Sequence, residues 1–333
     1  MTTSMEYRTL GRTGLKVSAL AFGCGDVGGL MVRGAPADRE RAVARALELG
    51  INYLDTAPSY GSGQSERNLG VVLRALKPEV LVGSKCRLAA ADMADVAGAL
   101  TRSVETSLSL LGIPRLDLFH LHNPLGRVRT DRRLGVADVL DAVAPAARRL
   151  REQGKIRFFG VTALGETGAL HRVLASGAID TAQVCLNLLS PSAAHAVPPG
   201  YPAQDFDQLA VLAREQGVGT VGIRILAGGA LSGETARHPI AIPAVDPIAS
   251  GPDYAADAAR AHAFAPLVKE GHAGSVIEAA FRFAISTEMS TVLIGTSDLS
   301  QLEFAATAVA KGPLSPAALN RVRGIWNELA TTR

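Results

Sequence analysis

The segment Asn52-Tyr53-Leu54-Asp55-Thr56-Ala57-Pro58-Ser59-Tyr60-Gly61 ends a short apolar run on an Asp and carries a Tyr five residues later. The run Val82-Gly83-Ser84-Lys85 ends on one of only six lysines in 333 residues, and Phe119-His120-Leu121-His122 ends on a His. A Tyr hydroxyl is a weak acid, with an ordinary pKa of about 10. A neighbouring ammonium stabilises its phenolate. An Asp paired to that Lys keeps it charged and oriented, and a neutral His beside them can donate a hydrogen bond to a carbonyl oxygen. Such a set protonates the oxygen of an aldehyde or ketone while another species attacks the carbon. General acid catalysis of this kind is worth about 10²–10⁴-fold.

Each residue alone has a plainer explanation. Asp55 can close a turn, Tyr60 can pack a loop, and Lys85 can reach from a strand end to solvent. The grouping favours chemistry over these. His120 and His122 share one strand face, and such a pair can hold a metal. The other histidines fall in helical or loop stretches, so no metal site is expected and His120 is read as packed interior.

The elements that would position this group alternate along the chain. Apolar, β-branched runs at Leu20–Gly23, Tyr53–Asp55, Val80–Ser84, Leu116–His120, Phe158–Thr162, Thr181–Leu186, Gly219–Ile223 and Thr291–Ile294 read as strands. Helical patterns lie between them at Asp38–Leu49, Gln64–Leu76, Met93–Leu111, Val136–Gln153, Thr167–Ala175, Asp205–Glu215, Ser275–Ala284 and Ser300–Ala310. Asp38 and Ser300 are expected N-caps, and Gly50, Gly112, Gly154, Gly177 and Gly217 expected helix stops. Strict alternation of this length predicts an α/β fold, a closed (β/α)₈ TIM barrel. Asp55, Lys85 and His122 then stand at the C-terminal ends of three consecutive strands, the face where barrels carry their sites.

The glycines Gly23, Gly25, Gly28 and Gly29 have the wrong spacing for a dinucleotide-binding βαβ unit. Residues 7–18 read as a β-hairpin ahead of the barrel, and Pro316–Leu329 as an added terminal helix. Residues 124–135 and 227–262 form long loops after strands 4 and 7. The arginines of the first loop (Arg127, Arg129, Arg132, Arg133) are expected to be solvated surface, with attraction of an anionic substrate as the alternative. One domain over 1–333 is expected.

Composition closes off other classes. With 47% hydrophobic and 20% charged residues the chain has ample apolar surface for a large core. A net charge of +3, without a basic block, gives no support for nucleic-acid binding. No window approaches the length of a membrane span, and the N-terminus carries no apolar leader. Three cysteines without a CxxC (Cys24, Cys86, Cys185) argue against disulfides and zinc, and Cys86 is expected to feel the charge of Lys85. A cytoplasmic protein, monomeric or a simple homo-oligomer, is the default expectation.

The sequence resembles the aldo-keto reductases over nearly its whole length. The resemblance rests on Tyr7-Arg8-Thr9-Leu10-Gly11, Thr13-Gly14-Leu15 and Asp55-Thr56-Ala57 with Tyr60-Gly61 and Ser65-Glu66. Lys85, Asp117-Leu118-Phe119 with Leu121-His122-Asn123-Pro124, Lys155-Ile156-Arg157 and Gln183 with Asn187 agree further along. The resemblance implies hydride transfer between a nicotinamide cofactor and a small carbonyl or alcohol substrate. Tyr60 would be the general acid, tuned by Lys85 and Asp55, with His122 orienting the carbonyl.

It also implies cofactor contacts at Gly23, Asp55, Thr162 and Gln183 around the nicotinamide. Ile223 stands where many members stack an aromatic, followed by Arg224, which would face cofactor phosphate or substrate. Leu226 and Gly228 would cover the pyrophosphate. Gly295, Thr296, Ser297 and Gln301 would meet the adenosine end. NADP(H) is the cofactor implied; the absence of Lys or Arg at Gly295 and Gln301 makes NAD(H) the alternative. A regulatory cofactor-binding protein on the same fold, akin to the β-subunits of potassium channels, is the alternative function.

Overall fold

The computed structural model describes residues 5–331; the expected domain reaches beyond these at both ends. Strands β1 (Tyr7–Thr9) and β2 (Lys16–Ser18) form the antiparallel hairpin. The barrel strands are β3 (Leu20–Gly23), β4 (Tyr53–Asp55), β5 (Leu81–Cys86) and β6 (Leu116–Leu121). A two-residue pair, β7 (Leu125–Gly126) with β8 (Leu134–Gly135), interrupts the loop after β6. Strands β9 (Ile156–Thr162), β10 (Thr181–Cys185), β11 (Gly219–Ile223) and β12 (Thr291–Gly295) complete the ring. Eight parallel strands close in chain order, β12 pairing back onto β3, so the fold is the expected TIM barrel.

The hairpin plugs the N-terminal end. Leu10, Leu15 and Val17 pack with Ala21, Tyr53, Leu118 and Val221 into an apolar cluster separate from the larger core between strands and helices. Arg12 N donates to Gly217 O at 2.7 Å, and Gly219 has no room for a side chain beside Leu10. The terminal helix spans Pro316–Thr331.

Several boundaries differ from expectation, each for a local reason. The first long helix begins at Pro36, whose fixed φ suits a first turn, with Ala35 as its cap; Asp38 lies inside that turn and pairs with Arg41. Asp298, not Ser300, caps Leu299–Ala310, its Oδ1 accepting from Gln301 N at 3.0 Å. The helix expected from Met93 begins at Val96 behind an Asp95 cap. The one expected from Asp205 begins at Leu209, because Asp207 and Gln208 take left-handed backbone. Residues Asp138–Val143 form a π-turn just before Pro145, which lacks the N–H that a regular helix would use. The five glycine stops all have positive φ.

Candidate active site

The sequence places Asp55 at the end of β4, Lys85 near the end of β5 and His122 just past β6, with Tyr60 in the loop above. The barrel brings all four together. Lys85 is buried, pairs with Asp55 Oδ1 and donates to Thr56 O at 2.9 Å. Its ammonium lies 4.9 Å from the centre of the Tyr60 ring. Tyr60 and His122 meet edge to face, ring centres 6.0 Å apart. Gly61 N donates to Asp26 Oδ2 at 2.8 Å, which fixes the Tyr60 loop to the loop after β3.

The remaining oxygen of Asp55 has two donors. Tyr53 donates from its hydroxyl at 2.8 Å, and Gln183 from Nε2 at 2.7 Å. Thr162 donates in turn to Gln183 Oε1 at 3.2 Å. A buried carboxylate that also faces an ammonium is therefore held on every side, as burial of charge requires.

Electrostatics sort the group. Burial works against the charge of Lys85, but Asp55 and Tyr60 outweigh it and raise its pKa, so it remains an ammonium. For Tyr60 burial is the largest effect and raises the phenol; the lowering by Lys85 offsets only part of it. Tyr60 is therefore a protonated phenol, a donor poised beside a cation. His122 is pushed down to about 3 by burial first, then by Lys85 and Arg87, and so is a neutral imidazole with an N–H to offer. His120 is fully buried, its Nε2 3.0 Å from Thr181 Oγ1 and its Nδ1 without a partner. Cys24 rather than Cys86 senses the tetrad: burial and then Asp55 raise its thiol, while Lys85 pulls the other way. Cys86, next in sequence to Lys85, points to the opposite face of the strand. Burial leads its rise to about 11, without a contribution from Lys85.

A cavity of about 860 Å³ opens over this group at the C-terminal strand ends. Of the expected contacts it is lined by Gly23, Asp55, Tyr60, His122, Thr162 and Gln183. It extends past Ile223, Arg224, Leu226 and Gly228 to Gly295, Ser297 and Gln301. Lys85 and Thr296 lie just behind the wall rather than in it. Thr296 Oγ1 is buried without a partner, and a Cβ on Gly28 would fall 2.5 Å from Thr296 O. Arg224 takes left-handed backbone, a strain of about 1–2 kcal/mol, with its carbonyl accepting from Asn187 Nδ2 at 2.9 Å. Its guanidinium turns toward Gly228 and donates to Asp246 O at 3.2 Å.

Sequence reasoning expected the loop after β11 to cover this cavity but missed the arginines that fasten it. Arg237, in the long loop after β11, donates to Ile242 O, Gly228 O and Val27 O at 2.7, 2.9 and 3.1 Å. Its guanidinium also lies 4.9 Å over the Tyr254 ring. Arg33 donates from Nε to Ile240 O at 2.6 Å and pairs with Asp26 at 2.8 Å. The long loop is thereby strapped to the loop after β3. The loop after β6 lends Pro124 to the cavity wall but none of its arginines: Arg129 pairs with Asp138 and Arg133 with Glu166, outside the cavity. Among the described residues no group of three or more His, Cys, Asp or Glu could hold a metal. None of their helices is long and apolar enough to cross a membrane.

The sequence profile of the Aldo/keto reductase family matches residues 19–327, and the chain belongs to that family of oxidoreductases. It is 31% identical over 317 residues to L-galactose dehydrogenase of Arabidopsis thaliana, covering 92% of this chain and 89% of that one. It is 32% identical over 215 residues to D-threo-aldose 1-dehydrogenase of a Pseudomonas species, covering 56% of this chain and 62% of that one. An aldo-keto reductase from Bacillus halodurans in its holo form shares the fold at a TM-score of 0.69 and 23% identity, with 99% of this chain and 97% of that chain covered.

Proposed function

We propose that the protein interconverts the carbonyl and alcohol forms of a sugar or a similarly hydroxylated small molecule, with Tyr60 as general acid in reduction and general base in oxidation. The observation that carries this reading is the placement of the Lys85 ammonium 4.9 Å from the Tyr60 ring, with His122 at the ring's edge and all three beside one cavity. The similarity to two sugar dehydrogenases supports the substrate class.

The cavity fits a nicotinamide dinucleotide: an amide-binding pair at one end, glycine-lined backbone in the middle and an apolar end at Phe304. When bound, that cofactor supplies or accepts the hydride. Thr162 and Gln183 would hold its carboxamide, Ile223 would support its ring, and Gly228, Leu226 and Arg224 would contact its phosphates. Tyr60 gives its proton to the carbonyl oxygen, and His122, neutral, holds that oxygen by its N–H. Lys85, kept charged by Asp55, stabilises the phenolate left behind.

The family alone implies NADP(H), but this chain's adenosine end favours NAD(H). Gln301 turns its Oε1 back to Ser297 N at 2.8 Å instead of presenting a charge, and Asp298 adds a carboxylate at the same helix start. A 2′-phosphate wants a cationic fork, and no Lys or Arg lines this end among the described residues. The meeting of all four tetrad residues supports turnover over a purely regulatory role.

The test is a panel of aldoses, aliphatic aldehydes and aromatic aldehydes assayed in both directions with each cofactor, on wild type and Tyr60→Phe. The expected result is turnover of the hydroxylated substrates, reduced by about 10²–10⁴-fold or more in Tyr60→Phe with dinucleotide binding retained. Equal turnover in the two proteins would refute the assignment of Tyr60.

A further inference from the structure

Tyr53 lies fully buried in the apolar cluster that plugs the barrel, one pleat below Asp55 on the same inward face of β4. In such a cluster a phenylalanine ring would fill nearly the same volume. The extra hydroxyl is a polar group in an apolar place, costly unless partnered, and its partner is a charged one, Asp55 Oδ2 at 2.8 Å. Room for it comes from β5. Gly83 pairs in register with Asp55, and a Cβ there would sit 2.6 Å from the Tyr53 hydroxyl oxygen. Gln183, the second donor to that oxygen, lines the cavity, whereas Tyr53 does not. Tyr53 is thus the donor to Asp55 that no ligand in the cavity can reach.

We propose that Tyr53 is a positioning residue for the tetrad: by donating to Asp55 from beneath, it offsets part of the carboxylate's charge and fixes its orientation toward Lys85 and Tyr60. The groups facing Tyr60 are Lys85 from β5, Asp55 and the neutral Tyr53 phenol from β4, Cys24 after β3, His122 after β6 and Arg224 after β11. Of these, Asp55 opposes the phenolate most directly. A donor withdrawn from Asp55 leaves more negative charge beside Tyr60 and makes its ionisation harder. Burial and then Asp55 hold the Tyr53 phenol well above its ordinary value, so it donates throughout the working pH range.

The experiment is carbon-13 NMR of ring-Cζ-labelled tyrosine in wild type and Tyr53→Phe, with the Tyr60 resonance assigned by Tyr60→Phe. The expected result is a rise of the Tyr60 pKa by about half to one unit in Tyr53→Phe, with dinucleotide affinity unchanged within about twofold. The base limb of alcohol oxidation moves to higher pH by the same amount. An unmoved Tyr60 resonance would overturn the proposal and leave Tyr53 as packing alone, as would a loss of dinucleotide binding with no shift. If Tyr53→Phe does not fold, Gly83→Ala, which crowds the hydroxyl off Asp55, must raise Tyr60 in the same direction; no rise there counts equally against it. The inference builds on the reading of Tyr60 as the acid, but the resonance is read without turnover. A shift in a protein inactive on every carbonyl and alcohol would sink the proposed function and leave the Tyr53 relationship standing.

Discussion

Gln183 donates through Nε2 to Asp55 at 2.7 Å, so the side chain proposed to hold the nicotinamide carboxamide also holds the carboxylate of the tetrad. On the proposed reading, cofactor binding and the electrostatics of the acid are joined at one amide. Gln183→Leu should therefore weaken dinucleotide binding by about tenfold, the worth of one hydrogen bond to a polar or charged group, and also slow hydride transfer at saturating cofactor. Thr162→Val, which touches Asp55 only through Gln183, should weaken binding with a smaller change in the transfer rate. Fluorescence titration and single-turnover kinetics separate the two. Loss confined to binding in Gln183→Leu would dissolve the link.

The choice of dinucleotide can be engineered if its proposed basis is correct. Wild type should bind NADH at least as tightly as NADPH. Gly295→Lys with Gln301→Arg restores a cationic fork and should improve NADPH binding by about tenfold or more, with NADH affinity little changed. Titration by cofactor fluorescence checks both. Tighter NADPH than NADH binding in the wild type would contradict the reading of this end.

The strap predicts a kinetic effect. Arg237→Ala removes three bonds to backbone carbonyls and the contact with Tyr254, without touching the tetrad. Dinucleotide dissociation, followed by stopped flow, should accelerate by about tenfold or more, while the single-turnover transfer rate changes little. An unchanged dissociation rate would mean that the strap does not close over the cofactor.

Acid stability follows from His120 on β6 and His122 just past it. Burial holds His120 well below its ordinary value, and burial with Lys85 and Arg87 holds His122 at about 3. In the unfolded chain both titrate near 6.5. Between these values the unfolded state binds more protons, so stability falls as pH drops below about 6.5 and is indifferent to these groups above it. Each contributes at most about 1.4 kcal/mol per pH unit in that window. Urea unfolding from pH 7.5 to 5 (roughly the onset of the effect) should show the decline, and His122→Asn should make it shallower. An identical slope in the variant would exclude His122 as a source.

The grouping was legible because Asp55, Lys85 and His122 each close an apolar run with a residue that such runs rarely carry, and Tyr60 follows Asp55 by five residues in a Pro-Ser-Tyr-Gly loop. The barrel was legible from alternation alone. What escaped was set by competition between neighbours or by contacts across loops. Asp298 takes the cap from Ser300, with the Ser300 hydroxyl donating to the same carboxylate at 2.7 Å. Pro145 forces a π-turn into an otherwise regular helical pattern. Arg33 and Arg237 bind backbone carbonyls far away in sequence, and a carbonyl leaves no mark in a residue pattern. Tyr53 read as one more aromatic in a strand, because its ring does belong to the core. Only its hydroxyl does not, and the signal that could have found it was its spacing of two from Asp55.

The hairpin plug has a consequence for proton traffic. With Leu10, Leu15 and Val17 packed against Tyr53 and Val221, an apolar plug stands between the tetrad and the lower end of the barrel among the described residues. The cavity opens on the opposite side, at the C-terminal strand ends, and on the proposed reading the substrate and cofactor fill it. The proton that Tyr60 gives up in reduction must then be replaced from above, through the passage by which the product leaves. Recharging the acid and emptying the pocket become one event, so each turnover begins with the phenol restored.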